Sequence, residues 1–469
     1  MAHIRVLNHY LHSKFILLGL IEFIVLMYSV QAGGFLRAYY YGEGNQIVAS
    51  SMQMICYASV MCVCSISMGV YTSVFHEGKT GVMLRTIVSY CFLGTASLSI
   101  LYYFFPTLYL GRGVLSLAVV ISLFAVFLVR IAFYQIVDLA QLRQKVVVLG
   151  AGTNAQYLID CIDEIEDKRS FWIRGCVSCN GDKVVVAEQR LISSPSDWIH
   201  FCREQKVNEL VLAPDERRRS EGGTFPVDAL LNCKLAGVRV TQAVEFIERE
   251  VQRLEISMLS AGWALFASGF KHSWLRDKLK RISDLSLAFL LLLIAWPFML
   301  LTAVAVVLET GFPALYKQTR VGFNGKQFSI YKLRSMTKNA EVGGAAVWAT
   351  KNDARVTKVG AFIRNTRLDE LPQLWNVIRG DMSFIGPRPE RPEFVDDLND
   401  QIPFYNQRHK VKPGLMGWAQ LNYPYGASVD DARNKLKYDL YYVKNHSAFL
   451  DALIVIRTVE VVLLGKGVH

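Results

Sequence analysis

Two adjacent carboxylates, Asp369 and Glu370, stand in a cation-rich stretch of this sequence. From Gln318 to Val395 the chain carries thirteen Lys or Arg against seven Asp or Glu. That excess is over half of the net charge of +11 borne by all 469 residues. The cations fall in four short segments rich in Gly and Pro. The first runs Gln318-Thr-Arg320-Val-Gly322 to Lys332-Leu-Arg334-Ser-Met336, which suits a turn and then a strand delivering two cations to one end. The second is Arg364-Asn-Thr-Arg367-Leu-Asp369-Glu370-Leu-Pro372-Gln373, the third Gly386-Pro387-Arg388-Pro389-Glu390. The fourth runs from Tyr405 through Arg408-His409 and Lys412-Pro413-Gly414 to Trp418-Ala-Gln420. In such turns guanidinium groups and backbone amides can converge on phosphate.

Adjacent carboxylates are common on ordinary helix surfaces, so the setting decides. Pro372 is tolerated in a first helical turn, and Leu371, Leu374 and Ile378 follow at helical spacing. The pair therefore belongs near a helix N-terminus, where the dipole, Arg364 and Arg367 are expected to favour the ionised form. An ionised Asp among cations can attack phosphorus or hold Mg²⁺. Gly386-Pro-Arg-Pro is a stiff turn that fixes Arg388. A basic face lying on anionic lipid would also account for the charge, and both readings can hold together.

The elements that must position these residues include membrane helices. Apolar blocks at about 15–32, 47–71, 82–105 and 114–133 each have the length that crosses a ~30 Å hydrocarbon core. Four in series exclude a cleaved signal peptide. Arg5, Lys14, Lys79, Arg85, Arg130, Arg143 and Lys145 flank one side, and Arg37 and Arg112 the other. The N-terminus and the chain beyond about residue 134 are therefore expected in the cytoplasm. Glu22, inside the first block, is expected to pair with a neighbouring helix or reach a polar pocket. A fifth block, Leu285–Leu308, has no charge. Both of its flanks are basic, and Pro297 near its centre removes a backbone donor. Two half-helices that dip in and return fit better than a span.

Between the blocks lies an α/β pattern. Strands are predicted at Lys145–Leu149, Ile173–Ser178, Glu209–Ala213 and Gly237–Thr241, with helices near Ser196–Gln205 and Val227–Leu235. The alternation implies a parallel, Rossmann-like sheet. Gly150-Ala-Gly152-Thr-Asn-Ala155 resembles a dinucleotide fingerprint after a strand, but no ribose-binding acid follows at the right distance. A regulatory or assembly role suits this module better than cofactor binding. Nine cysteines, none beyond Cys233, argue for reduced thiols rather than a disulfide framework. The lone Cys176-x-x-Cys179 pair has no second pair to complete a zinc site.

Residues from about 272 onward resemble the bacterial polyprenyl-phosphate sugar-1-phosphate transferases, the monotopic phosphoglycosyl transferases. The resemblance rests on the basic run before Asp284, the proline-containing apolar helix, Lys332-Leu-Arg-Ser-Met, Leu368-Asp-Glu-Leu-Pro-Gln, Gly386-Pro-Arg-Pro and Pro413-Gly-Leu-Met-Gly-Trp-Ala-Gln, and runs through Asp439-Leu-Tyr-Tyr442. The layout as a whole is similar to the large members of that family. The two ends of the chain resemble the subgroup linked to exosortase-associated exopolysaccharide clusters. Three positions depart from the usual pattern: Trp296 where Ser precedes the proline, Met416 for Thr, and Ala354 for Pro.

The resemblance implies a fold and a reaction. The fold is a membrane protein combining α and α/β architecture. It has a four-helix transmembrane domain (1–137), a Rossmann-like module (145–250) and a catalytic domain (272–469) with a re-entrant helix at about 283–308, broken at Pro297. The reaction moves sugar-1-phosphate from a UDP-sugar to undecaprenyl phosphate, with release of UMP, as the first membrane step of exopolysaccharide synthesis. Asp369 would be the nucleophile and Glu370 the second acid of the dyad, as support or general base, and the two would hold Mg²⁺. Arg388 would hold the nucleotide or its phosphate, and Lys332, Arg334 and Arg364 would bind phosphate groups. Gln373, Pro387, Pro389 and Arg408 complete the substrate-binding set. A homodimer in the inner membrane, with its catalytic domain on the cytoplasmic face and no nucleic-acid partner, is implied as well. The physics agrees: two anionic substrates must meet, so cations must cancel charge as the phosphoryl group moves.

Two other readings fit the sequence less well. An NAD-dependent nucleotide-sugar enzyme would need a Tyr-x-x-x-Lys pair in the Rossmann-like module, where Tyr157 lacks a lysine four residues on. A non-enzymatic scaffold or sensor leaves the Asp369, Glu370 and Arg388 constellation without a purpose. No local motif specifies the sugar.

Overall fold

The computed structural model describes residues 3–464, except 7–8, 42–48, 69, 71–73, 137–142, 165–170, 180–182, 216–224, 260–273, 338–354, 425 and 427. Lys271, the departure at Ala354 and the chain end at 465–467 lie outside the described residues. The chain divides into two compact units, Met1–Phe246 and Ile247–His469. Glu248, at the start of the second unit, accepts from Lys444 at 2.5 Å and from Asn445 at 2.8 Å.

In the first unit a hairpin, β1 (His3–Val6) and β2 (His9–His12), leads into α1 (Ser13–Tyr41). Next come α2 (Ser51–Ser67), α3 (Val74–Val88), α4 (Thr95–Phe104) and α5 (Arg112–Ile136). A π-helical turn, Ser89–Gly94, joins α3 to α4. By length and composition, Leu17–Tyr40, Gly81–Phe104 and Arg112–Ile136 can cross a membrane, while α2 is a shorter apolar helix. A capping box of Ser50 and Gln53 starts α2. Gly33 lets α1 approach α5 so closely that a Cβ there would lie 2.9 Å from the Ala118 nitrogen. In lipid, such small-residue contacts supply the packing that apolar burial cannot.

Glu22 is paired inside this bundle. Arg130 donates through Nε and Nη2 to its two oxygens at 2.5 and 2.8 Å, and through Nη1 to Thr86. Both charges are buried, a state tolerable only because each satisfies the other. Arg130 therefore leaves the count of flanking cations. So does Arg85, which is buried on the Met68 carbonyl. The remaining flanks keep the same sign.

The α/β part comprises β3 (Gln144–Leu149), α6 (Thr153–Asp163), β4 (Phe171–Val177), β5 (Leu191–Ile192), α7 (Trp198–Glu204), β6 (Glu209–Leu212), α8 (Val227–Leu235), β7 (Arg239–Gln242) and α9 (Ala243–Val251). All strands are parallel, in the order β5-β4-β3-β6-β7. Val146 to Leu149 are buried, as a central strand covered on both faces requires. The sequence reading misses β5, which is too short to carry a periodicity, and α9.

In the second unit α10 (Trp274–Thr310) continues as helix through Pro297. The expected end of helix at the proline is not seen. A proline deletes one hydrogen bond and can bend a helix without terminating it. An antiparallel hairpin follows, β8 (Leu315–Val321) and β9 (Gln327–Leu333), then α11 (Lys358–Asn365), α12 (Gln373–Arg379), β10 (Ser383–Ile385) and α13 (Pro392–Gln401). β11 (Gly414–Met416) pairs parallel with β10 and precedes α14 (Trp418–Asn422), α15 (Val429–Asn445) and α16 (Ala448–Leu464). Ala288, Ile330, Leu374, Val377, Phe384, Trp418 and Tyr442 share one core, which ties the apolar helix to the elements of the charged segments.

Candidate functional site

Asp369 and Glu370 lie in a 3₁₀ turn, Leu368–Glu370, between α11 and α12. Arg367 makes the corner in a left-handed conformation with φ 60°. β9 brings Lys332 to this turn. Its register is fixed by Asn376, fully buried on α12, which accepts from the Tyr331 N–H at 3.2 Å and donates to the Ser329 carbonyl at 2.7 Å. The third segment brings Arg388. Gly386 and Gly414 make this possible, because a Cβ on either would collide with the facing backbone.

Glu370 Oε1 receives two donors, Lys332 Nζ at 3.1 Å and Arg388 Nη2 at 2.8 Å. Burial alone would push this carboxyl up. The Arg388 guanidinium and the Lys332 ammonium override it and hold Glu370 well below the usual carboxylate range. Lys332 in turn is lowered by burial, against the pull of Glu370.

Asp369 behaves in the opposite way. Its side chain is buried, and Oδ1 has no hydrogen-bond partner among the described residues. Burial raises its pKa first and the charge of Glu370 adds to that, outweighing Lys332, Arg388 and Arg367. The helix dipole and arginines, expected to favour the ionised form of both carboxyls, are outweighed at Asp369 by burial and the charge of Glu370. The nearest cations are spent on its neighbour. One carboxylate is fixed as an anion, and the other keeps a bare oxygen.

The remaining expected residues separate by distance. Gln373, the first residue of α12, is buried with Nε2 unpartnered among the described residues. Pro387 and Pro389 are buried and shape the turn. The Pro387 carbonyl accepts from the Gly414 N–H at 3.0 Å, and that of Pro389 from Arg320 at 3.1 Å. Arg334 points to the end of α10, donating to the Gly311 carbonyl at 3.2 Å. Arg364 stands in the last turn of α11 without an ion pair to the dyad among the described residues. Arg408 is not an open substrate ligand. It is buried and binds Asp439 at 2.7 and 3.1 Å, the Tyr405 hydroxyl at 3.1 Å and the Arg388 carbonyl at 3.0 Å. It is a positioning residue for Arg388. The adjacent His409 is pushed down to about 3 by burial and then by Arg408, so its ring is neutral.

Sequence reasoning missed Asn376, Asp439 and Arg320 as supports. Asp439 lies within a motif already noted, but only the fold shows that it anchors Arg408. Among the described residues no group of three His, Cys, Asp or Glu could hold a metal. Asp369 and Glu370 are the two adjacent carboxylates of the turn.

The glycine turn of the first unit is closed from within. The carboxylate of Asp215 accepts from the N–H groups of Thr153 at 2.8 Å and Asn154 at 2.7 Å, at the start of α6. A Cβ on Gly152 would collide with it. These are the amides a dinucleotide phosphate would use, and an internal anion already holds them.

Residues 275–465 match a family model described as bacterial sugar transferase. Three relatives are similar to this chain. A UDP-N-acetylgalactosamine-undecaprenyl-phosphate N-acetylgalactosaminephosphotransferase of Aeromonas hydrophila is 43% identical over 238 residues, 51% of this chain and 55% of that protein. An undecaprenyl-phosphate glucose phosphotransferase of Komagataeibacter xylinus is 40% identical over 334 residues, 68% of this chain and 59% of that protein. A UDP-glucose:undecaprenyl-phosphate glucose-1-phosphate transferase of Caulobacter vibrioides is 42% identical over 195 residues, 41% of this chain and 73% of that protein. The chain thus spans about half the length of the Aeromonas relative.

Proposed function

Since this chain belongs to the bacterial sugar transferase family, we propose that it transfers sugar-1-phosphate from a UDP-sugar to undecaprenyl phosphate and releases UMP. The observation that carries this reading is the divided dyad: Asp369 with a bare, buried oxygen beside a Glu370 locked as an anion by Lys332 and Arg388.

An Asp369 oxygen attacks the phosphorus that bears the sugar. The bond from that phosphorus to the bridging oxygen breaks, and UMP leaves with the electron pair. An aspartyl phosphosugar remains. An oxygen of the lipid phosphate then attacks the same phosphorus, and Asp369 departs as carboxylate. The product is a lipid-linked sugar diphosphate. Lys332 and Arg388 offset the charge of approaching phosphates. Glu370 acts as their electrostatic holder and not as a general base, because a carboxyl held so far below the ordinary range accepts a proton poorly.

Mg²⁺ would be held by Asp369 and Glu370. The unpartnered Asp369 oxygen fits that role, and Mg²⁺ commonly takes only one or two protein carboxylates. When bound, the ion neutralises charge on the diphosphate.

A re-entrant α10 is supported by its two ends. Arg281 and Asp284 at one end, and Glu309 at the other, all bond to the same compact unit. A straight crossing helix would place ends ~42 Å apart on opposite sides of the bilayer. Between them Leu290, Leu293, Ile294, Trp296, Phe298 and Leu301 are exposed, as lipid contact requires. The catalytic unit then faces the cytoplasm at the inner membrane, as the flanking charges imply. The strand order supports a Rossmann-like module with a structural or regulatory part, and the whole protein is expected to work as a homodimer in exopolysaccharide synthesis.

The test is UMP release by the full-length protein with undecaprenyl phosphate, Mg²⁺ and a panel of UDP-sugars that includes glucose and N-acetylgalactosamine. Release that needs sugar and lipid, and is lost in Asp369→Asn, is the expected result. Undiminished release by Asp369→Asn would remove Asp369 as nucleophile.

A further inference from the structure

Four elements frame the dyad: α11 before it, α12 after it, β9 with Lys332, and β10 leading to Arg388. Each of them is tied to one end of α10. Near its start, Arg281 donates to the carbonyls of Val377 and Ile378, both at 2.6 Å, in the last turn of α12. One turn on, buried Asp284 accepts from the Ser383 hydroxyl at 3.1 Å and the Phe384 N–H at 3.2 Å, both on β10. At the far end Glu309 accepts from the N–H groups of Lys358 at 2.9 Å and Val359 at 3.2 Å, the first residues of α11. The Gly311 carbonyl, just past the helix, takes Arg334 from the end of β9.

The charge signs are complementary. A cation sits on the C-terminal carbonyls of α12, and an anion on the N-terminal amides of α11, where each helix dipole favours it. The two short helices are thus gripped at their outer ends, and the Leu368–Glu370 turn lies between their inner ends. Isolated helices of seven or eight residues do not hold their own geometry in water, so their orientation must come from such contacts.

We propose that Arg281 and Glu309 are positioning residues for the transfer reaction: through α12 and α11 they set the place of Asp369 relative to Lys332 and Arg388. This rests on the function proposed above and adds a means by which the seating of α10 in the bilayer governs the dyad. Neither residue touches the reacting atoms. A small displacement of a nucleophile costs on the order of 10²-fold in rate, whereas donor binding by groups elsewhere is unaffected. Loss of either grip therefore lowers kcat and leaves the KM for the UDP-sugar nearly unchanged.

The experiment uses full-length protein in nanodiscs of phosphatidylethanolamine and phosphatidylglycerol. Exchange of labelled UMP into UDP-sugar, without lipid acceptor, reads the first half-reaction alone. Arg281→Met and Glu309→Ala are compared with the milder Arg281→Lys and Glu309→Gln. The expected result is a fall in the maximal exchange rate of about 10-fold or more for Met and Ala, with KM within about twofold, and an intermediate rate for Lys and Gln. Should the severe variants fail to melt cooperatively, Lys and Gln decide. Wild-type maximal rates in folded Arg281 and Glu309 variants, or losses confined to KM, would overturn the inference while the wild-type exchange still stands. No exchange by the wild type would instead strike at the reaction itself.

Discussion

Asp369 and Glu370 are neighbours in sequence and opposites in energetics. Glu370 gains from its charge, since its folded pKa lies below the ordinary 4.5. Its contribution is present above that value and fades as pH falls toward the folded pKa. Asp369 has a raised pKa, so its charge is a cost at neutral pH that acidification relieves. In thermal melts near neutral pH, Asp369→Asn should therefore match or exceed the wild type while losing activity. Glu370→Gln should melt lower, by about 3 kcal/mol, because Lys332 and Arg388 lose their shared anion. Activity has its own pH signature. The acid limb of the UMP exchange rate should lie above the ordinary aspartate value of 3.8. In the residual activity of Glu370→Gln it should move to lower pH, since one repelling charge is gone and two cations are released. An unmoved limb would show that Asp369 is not the group that must ionise.

At the scale of elements, local pattern and tertiary consequence separate cleanly. The strands Lys145–Leu149 and Glu209–Ala213 and the helix Val227–Leu235 were legible because burial on both faces or at helical spacing leaves a periodic trace. The two-residue β5 leaves none. The charged motifs were legible as segments, but the division of labour among their arginines was not. Arg388 meets Glu370 while Arg408 is buried behind it, a difference set by Asp439 some thirty residues away in sequence. The glycine turn before α6 shows the same limit: its spacing suggests phosphate, and only the fold brings Asp215 to its amides. Calorimetry should accordingly detect no NAD or NADP binding to the wild type; saturable binding at micromolar ligand would contradict the closed turn. In the bundle, Glu22→Ala should cost about 3 kcal/mol by stranding Arg130, and replacing both by Leu should cost less. A melt in which the double variant is the worse of the two would refute that account of the pair.

The whole molecule combines membrane helices, an α/β module and a catalytic unit carrying its own apolar helix. If α10 dips and returns, both of its flanks face the cytoplasm. Single cysteines at Lys278 and Phe312, both exposed positions, should then react with an impermeant maleimide in inverted vesicles and not in intact cells. The background for this needs its reactive native thiols replaced. Labelling of the two positions from opposite sides would establish a span and would break the link between α10 and the dyad.

The most direct test of the central claim is the intact mass of the protein after incubation with UDP-sugar and Mg²⁺ without lipid acceptor. A covalent aspartyl phosphosugar predicts a mass increase of one sugar phosphate, mapped to the peptide containing Asp369, absent in Asp369→Asn and discharged by undecaprenyl phosphate. An unmodified protein that nevertheless releases UMP once both substrates are present would contradict it, and would point to direct transfer between the two bound substrates.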